Sequence, residues 1–137
     1  MDPAPPAPNP AYPAGVLPAI RRVMTPQDTN AMGTVFGGAI LSEIDLAAAI
    51  AAHRYHCGNV VTVAMDRIEF LKPVFVGDVL TLFAQASRIG NTSITVEVKV
   101  FAERRLTNGE TVQVTQAEVT MVAVDEELRP IPVKQPC

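Results

Sequence analysis

Asn30, the pair Gly37-Gly38 and Asp45 are the residues whose types and spacing invite chemistry. Asn30 sits in a stretch rich in turn formers, TPQDTNAMG at 25–33, and the glycines lead from there into an apolar run, AILSEIDLAAAIAA. A loop-glycine-glycine-helix junction points backbone N–H groups at whatever lies beyond the helix start, and the helix dipole adds positive potential there. Such a junction suits a phosphate or a developing oxyanion; the same glycines also serve plain close packing. Asp45 is the only acid on its face of the apolar run. A buried ionised carboxylate is costly unless paired, so Asp45 is either a chemical group or a structural acid satisfied inside the core. Asn30 is a turn former first and draws interest from sharing the loop with the glycines.

Spacing limits how these groups act together. Asp45 lies about two turns, ~10 Å, along the helix axis from Gly38. One helix cannot bring both to one carbonyl. Two antiparallel copies across a two-fold axis would place each Asp45 near the partner's Gly37.

The surrounding pattern supplies the elements that must hold them. AIRRVM, 19–24, reads as a first short strand, and a helix is expected over 39–56. On that helix Leu41, Ala48 and Ala52 share the side of Asp45, while Ile40, Ile44, Ala47 and Ala51 lie opposite. Ser42, Glu43, His53 and Arg54 leave only thin polar patches, so the helix is expected to be buried in a core. His53 and His56 come too late to join the chemical set. Four long strands are expected next: NVVTVAMDRIEFL, GDVLTLFAQASRIG, TSITVEVKVFAERR and TVQVTQAEVTMVAVD. In the third, Ile94, Val96, Val98 and Val100 alternate with Thr95, Glu97 and Lys99. Asn108-Gly109 is a strong hairpin signal before the fourth. There the apolar parity changes after Val114, which predicts a bulge near Thr115-Gln116. The fold class is α+β, an antiparallel sheet of five or six strands wrapped around one long helix. Its edges favour pairing with a second copy.

Length and composition bound the rest. The 137 residues amount to one domain with a workable core, 48% hydrophobic and with mean hydropathy +0.22. The segment 1–18 holds seven of the twelve prolines and reads as a polyproline-like or disordered arm, on the surface or mobile, and of little consequence for catalysis. The alternative is that Tyr12, Val16 and Leu17 pack over a neighbouring subunit. The domain is read as 19–126, with 127–137 as a tail. A net charge of −3 and pI near 5.3 argue against a nucleic-acid partner. No run is long enough for a membrane span, and the start lacks the layout of a signal peptide, so a cytoplasmic location is expected. Cys57 and Cys137 form neither a metal-ligand spacing nor a disulfide framework.

PQDTNAMGTVFGGAILSEIDLAAAIAA, then VVTVAMDRIEFLKPVFVGD and SRIGNTSITVEVKVF, together resemble the hotdog-fold acyl-CoA thioesterases, closest to their YciA-like bacterial group. The similarity runs over roughly residues 20 to 124. It implies hydrolysis of acyl-CoA to a fatty acid and coenzyme A, with no metal and no cofactor beyond the coenzyme A of the substrate. By that resemblance Asp45 is the catalytic carboxylate, a general base or a nucleophile. Asn30 positions water or the thioester, and Gly37 N–H is the oxyanion donor beside Gly38. Active sites at a dimer interface and a trimer of dimers are implied as well. Many relatives carry histidine before the glycines; Phe36 here fits the YciA-like group. Thr62 is a candidate hydroxyl behind the acid. Arg67, Lys72 and Arg88 are candidate partners for coenzyme A phosphates, with Asn91, Thr92 and Ser93 beside them. A non-catalytic acyl-CoA sensor is the competing reading; a hydratase is disfavoured because no histidine stands in the loop or early helix.

Overall fold

The computed structural model describes residues 2–134. Strand β1 is Ile20–Val23, and a short 3-10 turn covers Pro26–Asp28. Helix α1 runs Gly37–Ala52, followed by β2 Asn59–Phe70, β3 Val79–Ile89, β4 Ser93–Glu103 and β5 Thr111–Val124. The five strands form one antiparallel sheet in the order β1-β3-β4-β5-β2, so β1 and β2 are its edges. Alternation in β4 does what the sequence pattern implies: Ile94, Val96, Val98 and Val100 are all fully buried. Each such side chain contributes roughly 1.5–3 kcal/mol by leaving water. They face α1, whose Ile40, Ile44, Ala47, Ala48, Ala51 and Ala52 fill the other half of the core. The alanines let the helix backbone lie close to the sheet.

Three expectations need correction. The helix begins at Gly37 and stops at Ala52, not over 39–56. It is also not buried all round: Leu46 and Ile50 are 54% and 44% exposed. A single sheet offers one concave face, so an apolar helix resting on it keeps its far side uncovered. The bulge expected near Thr115-Gln116 is present, at the adjacent Val114. Val100 pairs with Thr115 but Phe101 pairs with Gln113, so Val114 is the extra residue. Asn108-Gly109 does join β4 to β5, but within a longer loop, 104–110. Arg104 N–H still donates across to the Glu110 carbonyl at 2.8 Å, while its side chain pairs with Asp78 and donates to the Pro73 carbonyl, and Arg105 Nε donates to the Gly77 carbonyl at 2.9 Å. Those contacts fasten the 73–78 turn and keep the hairpin from closing in two residues.

The proline-rich segment lies along the outer face of the sheet. Tyr12 packs at 5.1 Å from the Phe83 ring and 5.4 Å from Phe101, and its hydroxyl meets Thr81 Oγ1 at 3.1 Å. Phe83 and Phe101 are thereby buried on the face away from the helix. Tyr12 thus covers its own sheet, while Leu17 stays 79% exposed. Tyr12→Ala is expected to cost about 1–2 kcal/mol of stability, seen as a lower Tm, with kcat/KM and light-scattering mass unchanged. An unchanged Tm would show that the docking contributes nothing.

The C-terminal segment returns over the other end of the sheet. Ile131 N–H donates to the Ala123 carbonyl and Val133 N–H to that of Asn91, at 2.9 and 2.8 Å. Buried His56 accepts the Lys134 N–H on Nδ1 at 3.1 Å. Burial, aided by the charges of Lys134 and His53, pushes His56 below the usual histidine range. The question of a Cys57–Cys137 bond falls on Cys137, outside the described residues. Among those residues no helix is long and apolar enough to cross a membrane.

Candidate active site

The chemical residues form two clusters on one chain. The first surrounds the helix start. Asn30 Oδ1 accepts the N–H groups of Met32 and Thr34 at 2.9 and 3.3 Å, and its Nδ2 donates to Thr34 Oγ1 at 2.8 Å. This Asx-type bonding shapes the loop. The loop is closed at its base by Phe36 N–H donating to the Asp28 carbonyl at 3.0 Å. Phe36 caps α1 with an extended backbone, and Gly37 and Gly38 are its first residues. Among the described residues no protein acceptor takes the N–H of Gly37 or Gly38. A Cβ on Gly37 would stand 3.3 Å from Phe70 Cζ, so this backbone lies close beneath an aromatic ring. Beside it opens a cavity of about 410 Å³ lined by Thr34, Gly37, Ile40, Phe70 and Lys72.

The second cluster is Asp45 with Thr62. Thr62 sits on edge strand β2, where the register slips between Thr62 and Ala64. Its hydroxyl donates to Asp45 Oδ1 at 2.5 Å, and Asp45 itself is half-buried. Eight residues separate Asp45 from Gly37, about 12 Å of helix. Asp45 does not line the cavity beside Gly37. A single chain therefore separates carboxylate from backbone donors, as the spacing requires.

The candidate cations do not gather in one place. Lys72 shares the Gly37 cavity. Arg67 occupies a β2 bulge with φ +52 and is strongly exposed on a cleft shared with Glu69, Glu97 and Glu118. Acidic neighbours make that cleft a poor seat for a phosphate. Arg88 is exposed near the end of β3, and the Asn91–Ser93 turn follows it. Lys72 N–H bonds the Val114 carbonyl, level with Val100 and Leu82, so Arg88 lies six residues, about 20 Å, further along the sheet and on a strand that is not its neighbour. The carbonyls of Asn91 and Thr92 are already used by Val133 and Ala123.

Sequence reading passed over an ionic group with two buried acids behind the first cluster. Arg22 on β1 donates to Asp28 Oδ1 and Oδ2 at 2.9 and 3.1 Å and to Glu43 Oε1 at 2.8 Å. Asp28 also accepts the Thr25 N–H at 2.9 Å. Burial alone would raise the Asp28 pKa; the Thr25 N–H and the Arg22 guanidinium outweigh it and hold the carboxyl below the usual range. The bond to Asp28, opposing burial, raises Arg22 above its ordinary value. Glu43 was expected in a thin polar patch, yet it is buried. Thr25-x-x-Asp28 is a turn-start signal that marks one of the three, Asp28. Nothing local marks Arg22 and Glu43, which are distant in sequence.

The Thioesterase superfamily model matches residues 32–108. The acyl-CoA thioester hydrolase YciA of Salmonella typhimurium is 38% identical over 122 residues, covering 88% of this chain and 91% of that protein. A hexameric hotdog-fold thioesterase of Campylobacter jejuni is 43% identical with TM-score 0.81, over 85% of this chain and 90% of that one. A Staphylococcus aureus acyl-CoA hydrolase, solved with butyryl coenzyme A and coenzyme A, is 35% identical with TM-score 0.76, over 85% and 70%.

Proposed function

This chain belongs to the thioesterase superfamily, among the acyl-CoA thioester hydrolases related to YciA, and we propose that it cleaves acyl-CoA at sites shared between two copies of itself. The observation that carries the shared site is the separation of Gly37 from Asp45 along one rigid helix, with the side of α1 bearing Leu46 and Ile50 left open. A two-fold axis beside that face sets each Asp45 against the other chain's Gly37. It also shelters the exposed leucine and isoleucine and adds a neighbour to edge strand β2. Hexameric relatives support a trimer of such dimers.

The chemistry follows from the groups so assembled. The Gly37 N–H, backed by the helix dipole, stabilises the oxyanion that forms when the thioester carbonyl is attacked. Asp45, held by Thr62, takes a proton from water as that water adds to the carbonyl carbon. The tetrahedral adduct then expels the coenzyme A thiolate, which recovers the proton and leaves the free acid. In the alternative route Asp45 itself adds, coenzyme A leaves, and water hydrolyses the mixed anhydride. Asn30 fixes the loop and offers its remaining amide hydrogen to water or thioester. Lys72, beside Gly37, is the cation placed to meet an incoming anion. Arg88 and the Asn91–Ser93 turn reach the same entrance only from another subunit. Residues 19–126 are read as the hydrolase unit, with 1–18 as its arm and 127–137 as its tail.

The direct test mixes the protein with acyl-CoAs of graded chain length and a thiol reagent. Release of stoichiometric thiol is expected. Binding without thiol release across the panel would instead identify a non-catalytic acyl-CoA-binding protein.

A further inference from the structure

We propose that Arg22, Asp28 and Glu43 are positioning residues, a clamp that sets the Asn30 loop and the Gly37 N–H against the helix; this rests on the function proposed above. Glu43 and Asp45 are two residues apart, so they point to nearly opposite sides of α1. Asp45 meets Thr62 at the edge of the sheet, whereas Glu43 is 8% exposed and turned toward β1. One acid is available to a substrate and the other is committed to Arg22.

The clamp closes a mechanical circuit. Asp28 begins the loop and Phe36 ends it, joined by the Phe36 N–H to Asp28 carbonyl bond. Between them Thr29 bridges Val35, and Asn30 N–H donates to the Thr34 carbonyl at 2.8 Å. The loop is thus a small closed unit with Asn30 inside and Gly37 at its exit. One of its ends is fixed through the Asp28 carboxylate to Arg22. The other continues into the helix that carries Glu43, which the same guanidinium holds. Arg22 therefore bonds both the loop and the helix that it must be registered against.

Energetics favour a positioning role. Two acids share one guanidinium, all partly or wholly out of water, and such groups cost desolvation that apolar residues would not. What they add is direction: charge-assisted bonds from Nη2 to Asp28 and from Nη1 to Glu43 tie the two acids to fixed positions on one planar group. Misplacing a reacting group by about 1 Å can cost on the order of 10²-fold in rate.

The test is Glu43→Gln, which keeps size and one hydrogen bond but removes the charge. A folded protein with kcat down about tenfold and KM within about twofold of the parent is expected, since a charge-assisted bond is weakened without touching substrate. Amide hydrogen exchange over residues 29–37 should also speed up. Should Glu43→Gln not fold, Arg22→Lys carries the same test, because one ammonium cannot hold both acids in the same geometry. Unchanged exchange in the folded variant overturns the clamp. Faster exchange with parental kcat also overturns it, leaving the trio a brace without influence on the reaction. Exchange does not depend on turnover, so a failure of the hydrolase reading would be seen separately, as a parent that releases no thiol.

Discussion

Asp45→Asn is expected to leave the protein folded and to lower kcat by about 100-fold or more. The fold should survive because Asp45 is half-buried and outside the apolar core, and its bond is with Thr62 at the edge strand. An asparagine carbonyl still accepts that hydroxyl, in a neutral bond weaker than the one to a carboxylate. What asparagine lacks is a basic oxygen to take a proton from water or to add to a carbonyl. Both chemical routes therefore fail with the same substitution, and KM should change far less than kcat. Thiol-release kinetics at saturating acyl-CoA, beside a thermal melt, make the measurement. A folded Asp45→Asn protein with near-parental turnover would remove Asp45 from the mechanism. Single-turnover reaction of the parent in heavy-oxygen water separates the two routes. Label in the Asp45 carboxylate would show direct attack, with water opening the anhydride at the Asp45 carbonyl; base catalysis puts the label in the released acid and none in the enzyme.

Mixing two inactive proteins should restore activity. In Asp45→Ala the Asn30 loop is intact; in Asn30→Ala the carboxylate is intact. If each site takes its loop from one chain and its acid from the other, a mixed dimer contains one complete site and one doubly defective site. Random exchange makes half of the dimers mixed, so about a quarter of the parental site activity should return. The separation of Gly37 and Asp45 along α1 makes the expectation strict, because a helix cannot fold back on itself within eight residues. Exchange is verified by tagging one variant and recovering the other with it. Verified exchange without recovered activity would mean that loop and acid of one chain serve the same site.

Much of the molecule was present in local pattern. Period-two alternation of Ile94, Val96, Val98 and Val100 was enough to define β4 and its buried face, because strand geometry alternates side chains by necessity. The loop-glycine-glycine-helix junction and the apolar run after it placed α1, and helix rise alone separated Gly37 from Asp45. Other features depend on groups that meet only when the chain folds. The helix looked buried on every side, yet one sheet covers one side and leaves Leu46 and Ile50 open. Tyr12 in a proline-rich stretch gave no sign of seating on Phe83 and Phe101, since that contact spans the chain from arm to β4. The Arg22–Asp28–Glu43 group is the plainest instance. Hydrophobic periodicity is a property of neighbours and survives in a sequence read from left to right. A guanidinium shared by a strand, a loop and a helix has no period, and only tertiary packing, which buries both acids and leaves Arg22 partly exposed beside them, brings it into being.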